Sequence, residues 1–192
     1  MSKQFVISVM SKDRAGIIAD ITTVIFDLGG DLADLNQSVL GGYFTMILIV
    51  EFDGQVTSDD LLAGFAQINS DTGIEATVKE IPDEFQFERE DLPSETFVVT
   101  AQGENRKGLV KTLGDFFYSN GINVLDLVTA RDKTLYTMIF QVDLTHVQSM
   151  ESLRTELQEL GSTERLELVL QHNDIYRATN EVGTTLDTIL GH

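Results

Sequence analysis

Two short segments of this chain set charged and amide side chains beside a glycine, just after an apolar run: Lys12-Asp13-Arg14-Ala15-Gly16-Ile17 and, 92 residues on, Glu104-Asn105-Arg106-Lys107-Gly108-Leu109. Asp13 and Asn105 stand where a helix N-cap would be. A glycine admits close approach of backbone, and free amides at a helix start favour an anion such as a carboxylate. The chemistry this suggests is the holding of a small charged molecule. The alternative is that Asp or Asn caps the helix and the glycine packs against a strand. Other constellations are weaker. His146, His172 and His192 lack metal-ligand spacing, and a His at a strand end, as His172 is beside Asp174, is more often structural. The acidic stretch Asp83 to Glu95 lacks the glycine and spacing of a calcium loop. No Ser-His-Asp order, no phosphate-cradling Gly-Lys-Ser/Thr and no paired carboxylates in a cleft stand out. No catalytic residue, metal or cofactor is expected.

These segments recur because the chain contains nearly the same domain twice. From Phe5 to Val50, 11 of 46 positions are identical to those 92 residues later, without a gap; ordinary residue usage gives roughly three. Arg14 and Gly16 recur as Arg106 and Gly108, Gly29 as Gly121, Asp34-Leu35 as Asp126-Leu127, and Thr45-Met46-Ile47 as Thr137-Met138-Ile139. The period is too long for a solenoid repeat, so each copy carries its own core.

The hydrophobic periods of one copy read strand, helix, strand, strand, helix, strand. Gln4 to Met10 is a buried strand that breaks at Ser11 to Arg14. Ile17, Ile18, Ile21, Val24, Ile25 and Leu28 form a helical stripe ended by Gly29-Gly30. Leu32 to Leu40 and Tyr43 to Phe52 form a hairpin about Gly41-Gly42. Ser58 introduces a helix with Leu61, Leu62, Phe65 and Ile68 on one face, and Ile74 to Ile81 is the last strand. The second copy repeats this: strand 96–102, helix 107–119, strands 122–130 and 135–144, helix 149–160, strand 165–171. Right-handed crossovers turn that order into an α+β fold of two tandem ferredoxin-like βαββαβ domains, each a four-stranded antiparallel sheet with two helices on one face. The domain boundaries expected are 1–81, an acidic linker at 82–95 holding both prolines, 96–173, and a C-terminal helix and tail at 174–192.

Composition narrows the function. A formal net charge of −18, from 31 acidic and 13 basic residues, repels phosphate backbones and acidic membranes, so no direct nucleic-acid binding and no membrane association are expected. There are no cysteines, which excludes disulfide frameworks and thiolate sites. The longest apolar run, Met46 to Val50, is far shorter than a membrane span, and Met1-Ser-Lys-Gln does not open a signal peptide. The expected location is cytoplasmic.

The order of elements, the (Asp/Asn)-Arg-x-Gly-(Ile/Leu) segment before the first helix and Gly121-Ile122-Asn123-Val124 before the second strand resemble the ACT domain, a small regulatory module that senses amino acids. The resemblance covers almost the whole chain as two tandem ACT domains. The ending His172 to Ala178 is similar to the tail of tandem-ACT regulators of the glycine cleavage system transcriptional repressor type. Carried over by position, the second copy resembles the serine-sensing ACT domain of phosphoglycerate dehydrogenases, in which two Asn residues hold the amino acid at a domain interface. Asn105 and Asn123 match them, while Gly103 stands where that pattern has a histidine. In the first copy the two positions are Asp13 and Asp31, acceptors only when ionised, suited to an ammonium group and repelling a carboxylate.

The resemblance implies ligand-binding residues Asn105, Arg106, Lys107, Gly108, Leu109 and Asn123 in copy two, and Asp13, Arg14, Ala15, Gly16, Ile17 and Asp31 in copy one. It implies a non-catalytic regulatory protein for a small amino acid, of the glycine or serine class, that controls a partner regulatory protein or enzyme. The alternatives are the detached regulatory subunit of an amino-acid metabolic enzyme, or a ligand-free dimerisation module. A homodimer or larger assembly is expected to cover apolar positions such as Ile47, Ile49 and Ile139.

Overall fold

The structure is a computed structural model and describes residues 3–70, 73–82, 96–132 and 135–180. The acidic linker from 83 onward and the tail beyond Asn180 lie outside the described residues. The chain divides into two compact units, Met1–Arg89 and Glu90–His192.

In the first unit β1 (Lys3–Lys12), α1 (Ile17–Asp27), β2 (Gly30–Leu40), β3 (Tyr43–Phe52), α2 (Ser58–Ala66) and β4 (Glu75–Ile81) follow one another. The sheet order is β2-β3-β1-β4 with every neighbouring pair antiparallel, the split βαβ arrangement expected from the periods. β1 runs two residues past its expected end, because Ser11 and Lys12 still pair with Phe44 and Tyr43. Gly41 and Gly42 both take positive φ, 60° and 81°, the geometry a two-residue hairpin turn demands. Ile17, Ile21 and Ile25 of α1 and Leu61 and Phe65 of α2 are buried with Phe5, Ile7, Val9 and the inward residues of β3. Both helices therefore lie on one sheet face. Ile18 and Leu62, expected in the apolar stripes, point outward. Phe5 and Phe52 meet edge-to-face, ring centroids 5.7 Å apart. Such pairs add about 0.5–1.5 kcal/mol to their burial.

The second unit repeats the plan with β5 (Phe97–Glu104), α3 (Leu109–Ser119), β6 (Asn123–Asp132), β7 (Leu135–Asp143), α4 (Met150–Glu164) and β8 (Leu166–His172), followed by α5 (Asn173–Asn180). Its sheet order is β6-β7-β5-β8. α4 runs four residues beyond its expected end and stops at Arg165 in the left-handed region, φ 52°. The repeated Asp-Leu pairs acquire a reason: both edge strands carry an irregularity just before them, Leu32/Asp34 and Val124/Asp126. There Asp34 and Asp126 each accept the following residue's N–H, at 2.8 Å. On the sheet face away from the helices, Ile47 is 57% exposed while Ile49 and Ile139 are half-buried.

Candidate functional site

The two loops singled out by the sequence end in the same backbone device. Gly16 (φ 84°) and Gly108 (φ 92°) are the N-caps of α1 and α3, and no side chain caps either helix. Asp13 and Asn105, expected as caps, stand three residues too early. α3 begins at Leu109, so Lys107 belongs to the loop. A positive φ at the cap is open to glycine and strained for other residues, which explains why glycine recurs there. Each helix thus starts with first-turn amides that no side chain occupies. The space beside Gly108 is empty to 4 Å, and beside Gly16 only Arg14 Nη1 comes that close.

The repeated arginines brace these loops differently. Arg14 reaches Asp20 in the first turn of its helix, 2.5 Å apart, with Nη1 also donating to the Ala15 carbonyl. Its Nε is buried and has no hydrogen-bond partner among the described residues. Arg106 reaches the end of α4, donating to the carbonyl and the carboxylate of Glu164. It closes one of the carbonyls that a helix end leaves unpaired. Both arginines were expected at the ligand, and both have carboxylate partners of their own. Nothing in the sequence signals Glu164, 58 residues away. In the first unit the Asp13 N–H donates to the Gly42 carbonyl, tying the loop to the β2–β3 hairpin. At Gly103 any Cβ would stand 2.6 Å from the Leu166 side chain and 3.0 Å from the Arg165 carbonyl. The histidine of the resembling pattern therefore has no room here.

The structure does not bring the two asparagines of the second unit together. Glu104, next to Asn105, pairs with Leu135 at the start of β7, whereas Asn123 pairs with Asp143 at its end. The length of β7, about 26 Å, separates them. Asp13 and Asp31 are divided in the same way, since Lys12 pairs with Tyr43 and Asp31 with Glu51. The Asn123 side chain is exposed and makes no hydrogen bond among the described residues. Across from it, the Thr145 hydroxyl and N–H hold the Asp143 carboxyl below its ordinary value near 3.8. Asp31 faces Glu51 and accepts the Leu32 N–H. No cluster of side chains suited to a metal ion occurs among the described residues, and no helix there is long and apolar enough to cross a membrane.

Comparison with known proteins agrees with this fold. The model of the ACT domain matches residues 3–79. A UPF0237 protein of Methanopyrus kandleri is 33% identical over 86 residues, which are 44% of this chain and 96% of that one. A UPF0237 protein of Corynebacterium diphtheriae is 46% identical over 52 residues, 27% of this chain and 58% of its own length. Two solved structures share the fold across both units. A protein of unknown function from Galdieria sulphuraria has a TM-score of 0.71 at 17% identity, covering 90% of this chain and 99% of its own. A structure assigned as a glycine cleavage system transcriptional repressor has a TM-score of 0.62 at 15% identity, covering 90% and 98%. The first unit is an ACT domain, the chain belongs with the UPF0237 proteins, and its second unit repeats the strand order of the unit that the family model matches.

Proposed function

We propose that this protein is a non-catalytic regulator that holds a small amino acid between second units of two chains and passes its occupancy to a partner protein. The observation that carries the reading is the placement of Asn105 and Asn123 at opposite ends of the sheet, Asn123 at the start of the edge strand β6 and Asn105 just past the end of β5, two strands in. β6 has a neighbour on one side only within its sheet, and its open flank is apolar: Val124 and Leu125 are exposed, and Tyr118 of α3 is 87% exposed. A long uncovered edge of this kind invites another strand. Antiparallel pairing of β6 with β6 of a second chain sets the start of one strand against the end of the other. Asn123 of one copy then lies three strand spacings from the loop of the other, about 14 Å. An amino acid and two asparagine side chains span that gap.

In this arrangement the amides at Gly108 and Leu109 receive the carboxylate, as a helix start does for an anion, while Asn105 and Asn123 accept from the ammonium group and donate to remaining oxygens. Asp13 and Asp31 cannot do the same for a carboxylate, so the first unit binds the ligand weakly or otherwise. Because the site is split between chains, occupancy and assembly are linked. Coupling of about 1–3 kcal/mol is the usual scale for such linkage. The glycine or serine class is favoured by the two amide partners. Isothermal titration of the whole chain against the twenty amino acids tests the reading: a saturable heat with one or two small residues supports it, and flat heats throughout refute it.

A further inference from the structure

The helix layer of the first unit carries an opening beside two positions where its duplicate has larger side chains. α1 and α2 cross at Gly64, where a Cβ would stand 2.6 Å from the Val24 side chain. Beside the crossing runs a groove of about 550 Å³ with Val24, Leu28 and Ile68 as its apolar floor and Asp20, Asp27 and Asp60 on its rim. Neither helix contains a lysine or arginine. Asp20 is already met by Arg14, but Asp27 has no cationic partner among the described residues, and hydrogen bonds from Thr57 keep Asp60 ionised. In the second unit, 92 residues on, Phe116 stands for Val24 and Glu156 for Gly64. Phe116 packs against the core, and Glu156 accepts a hydrogen bond from Ser152. The fold does not require small residues at these positions, since the duplicate forms with Phe116 and Glu156 there.

We propose that this groove receives one face of a basic amphipathic helix of a partner protein. The walls are helices, whose backbone groups are already paired. An extended segment laid there would find no backbone partners, whereas a helix brings its own satisfied backbone. Apolar side chains at i, i+3 or i+4 and i+7 settle on Val24, Leu28 and Ile68, and flanking lysines or arginines meet the three aspartates. The site is remote in kind from the amino-acid site, being built from helix flanks and carboxylates.

The test uses the full chain at physiological ionic strength and a fluorescent leucine–lysine peptide about five helical turns long, with a scrambled peptide of the same composition as reference. The amphipathic peptide binds at least about tenfold more tightly than the scramble. Val24→Phe, which copies the second unit, weakens binding about tenfold, and so does the rim change Asp27→Lys, which leaves the core untouched. Glu159→Lys, an equal change of charge on α4, leaves binding as it was. Equal affinity for the two peptides, or equal losses from Asp27→Lys and Glu159→Lys, overturns the proposal in favour of general attraction to an acidic surface. Undiminished binding by Val24→Phe overturns it as well. No amino acid enters the experiment, so its outcome is independent of the ligand site.

Discussion

Replacing Gly108 by alanine separates two roles that the loop of the second unit combines. The residue sits at φ 92° as the N-cap of α3. An L side chain in this region costs about 1–2 kcal/mol, and up to about 3 where the surroundings hold the conformation fixed. Apart from the adjoining residues of the chain, no described heavy atom lies within 4 Å of where the new Cβ would be, so no clash with other elements adds to this. The stability of the second unit should fall by about 1–3 kcal/mol. For a domain of this size each kcal/mol lowers Tm by about 4–8 °C. Urea titration followed by near-ultraviolet dichroism should show a lower midpoint with an unchanged slope. Gly108→Val should cost more, because a β-branched side chain tolerates positive φ less well, and it should also block the carboxylate's approach to the amides. A loss below about 0.5 kcal/mol for Gly108→Ala would mean that the loop relaxes into an ordinary cap. The argument from positive φ would then fail.

Three further outcomes are expected. Asn105→Ala removes a hydrogen bond to a charged ligand group, about 1.5–3 kcal/mol or roughly 10- to 150-fold in affinity by titration, whereas Asp13→Ala changes affinity for the same ligand little; equal losses would show both loops working alike. Arg106→Ala breaks an exposed ion pair and a helix-end contact with Glu164, so urea unfolding should register about 1 kcal/mol or less, and a larger loss would show that the brace carries the loop. Asp60 and Asp143 have carboxyls held below their ordinary value by Thr57 and Thr145. Their contribution is complete above the ordinary value near 3.8 and is lost as pH falls through the lowered folded-state value. Thr57→Val with Thr145→Val should flatten the acid limb of stability against pH, and an unchanged limb would contradict that assignment.

What the sequence made legible was whatever periodicity or a forced backbone geometry writes locally. Alternation and helical spacing placed the elements, and Gly41-Gly42 marked the hairpin because its turn needs two positive φ values. Gly29 marked the end of α1 in the same way, φ 78°. Caps were read less well. Asp13 and Asn105 have the right side chains for capping, but the chain reaches Gly16 and Gly108 before turning helical, and Thr57 rather than Ser58 caps α2 by sharing a capping box with Asp60. Long-range partners left no trace: the grip of Arg106 on Glu164 depends on α4 running on to Arg165. The separation of Asn105 from Asn123 was likewise hidden, because two residues 18 apart in sequence can lie at either end of a sheet until the strand register is known.

That separation makes the central claim open to a mixing experiment. Asn105→Ala and Asn123→Ala chains should each bind the amino acid about 10- to 150-fold more weakly than the unaltered chain does. Mixed after dissociation and reassociation, they should regain binding, because one site of each mixed dimer draws an intact Asn105 from one chain and an intact Asn123 from the other. Titration of the mixture should show the original affinity at about one site per mixed dimer. If the mixture binds as weakly as either variant alone, or if the saturated protein sediments as a monomer, the amino acid is not held between chains.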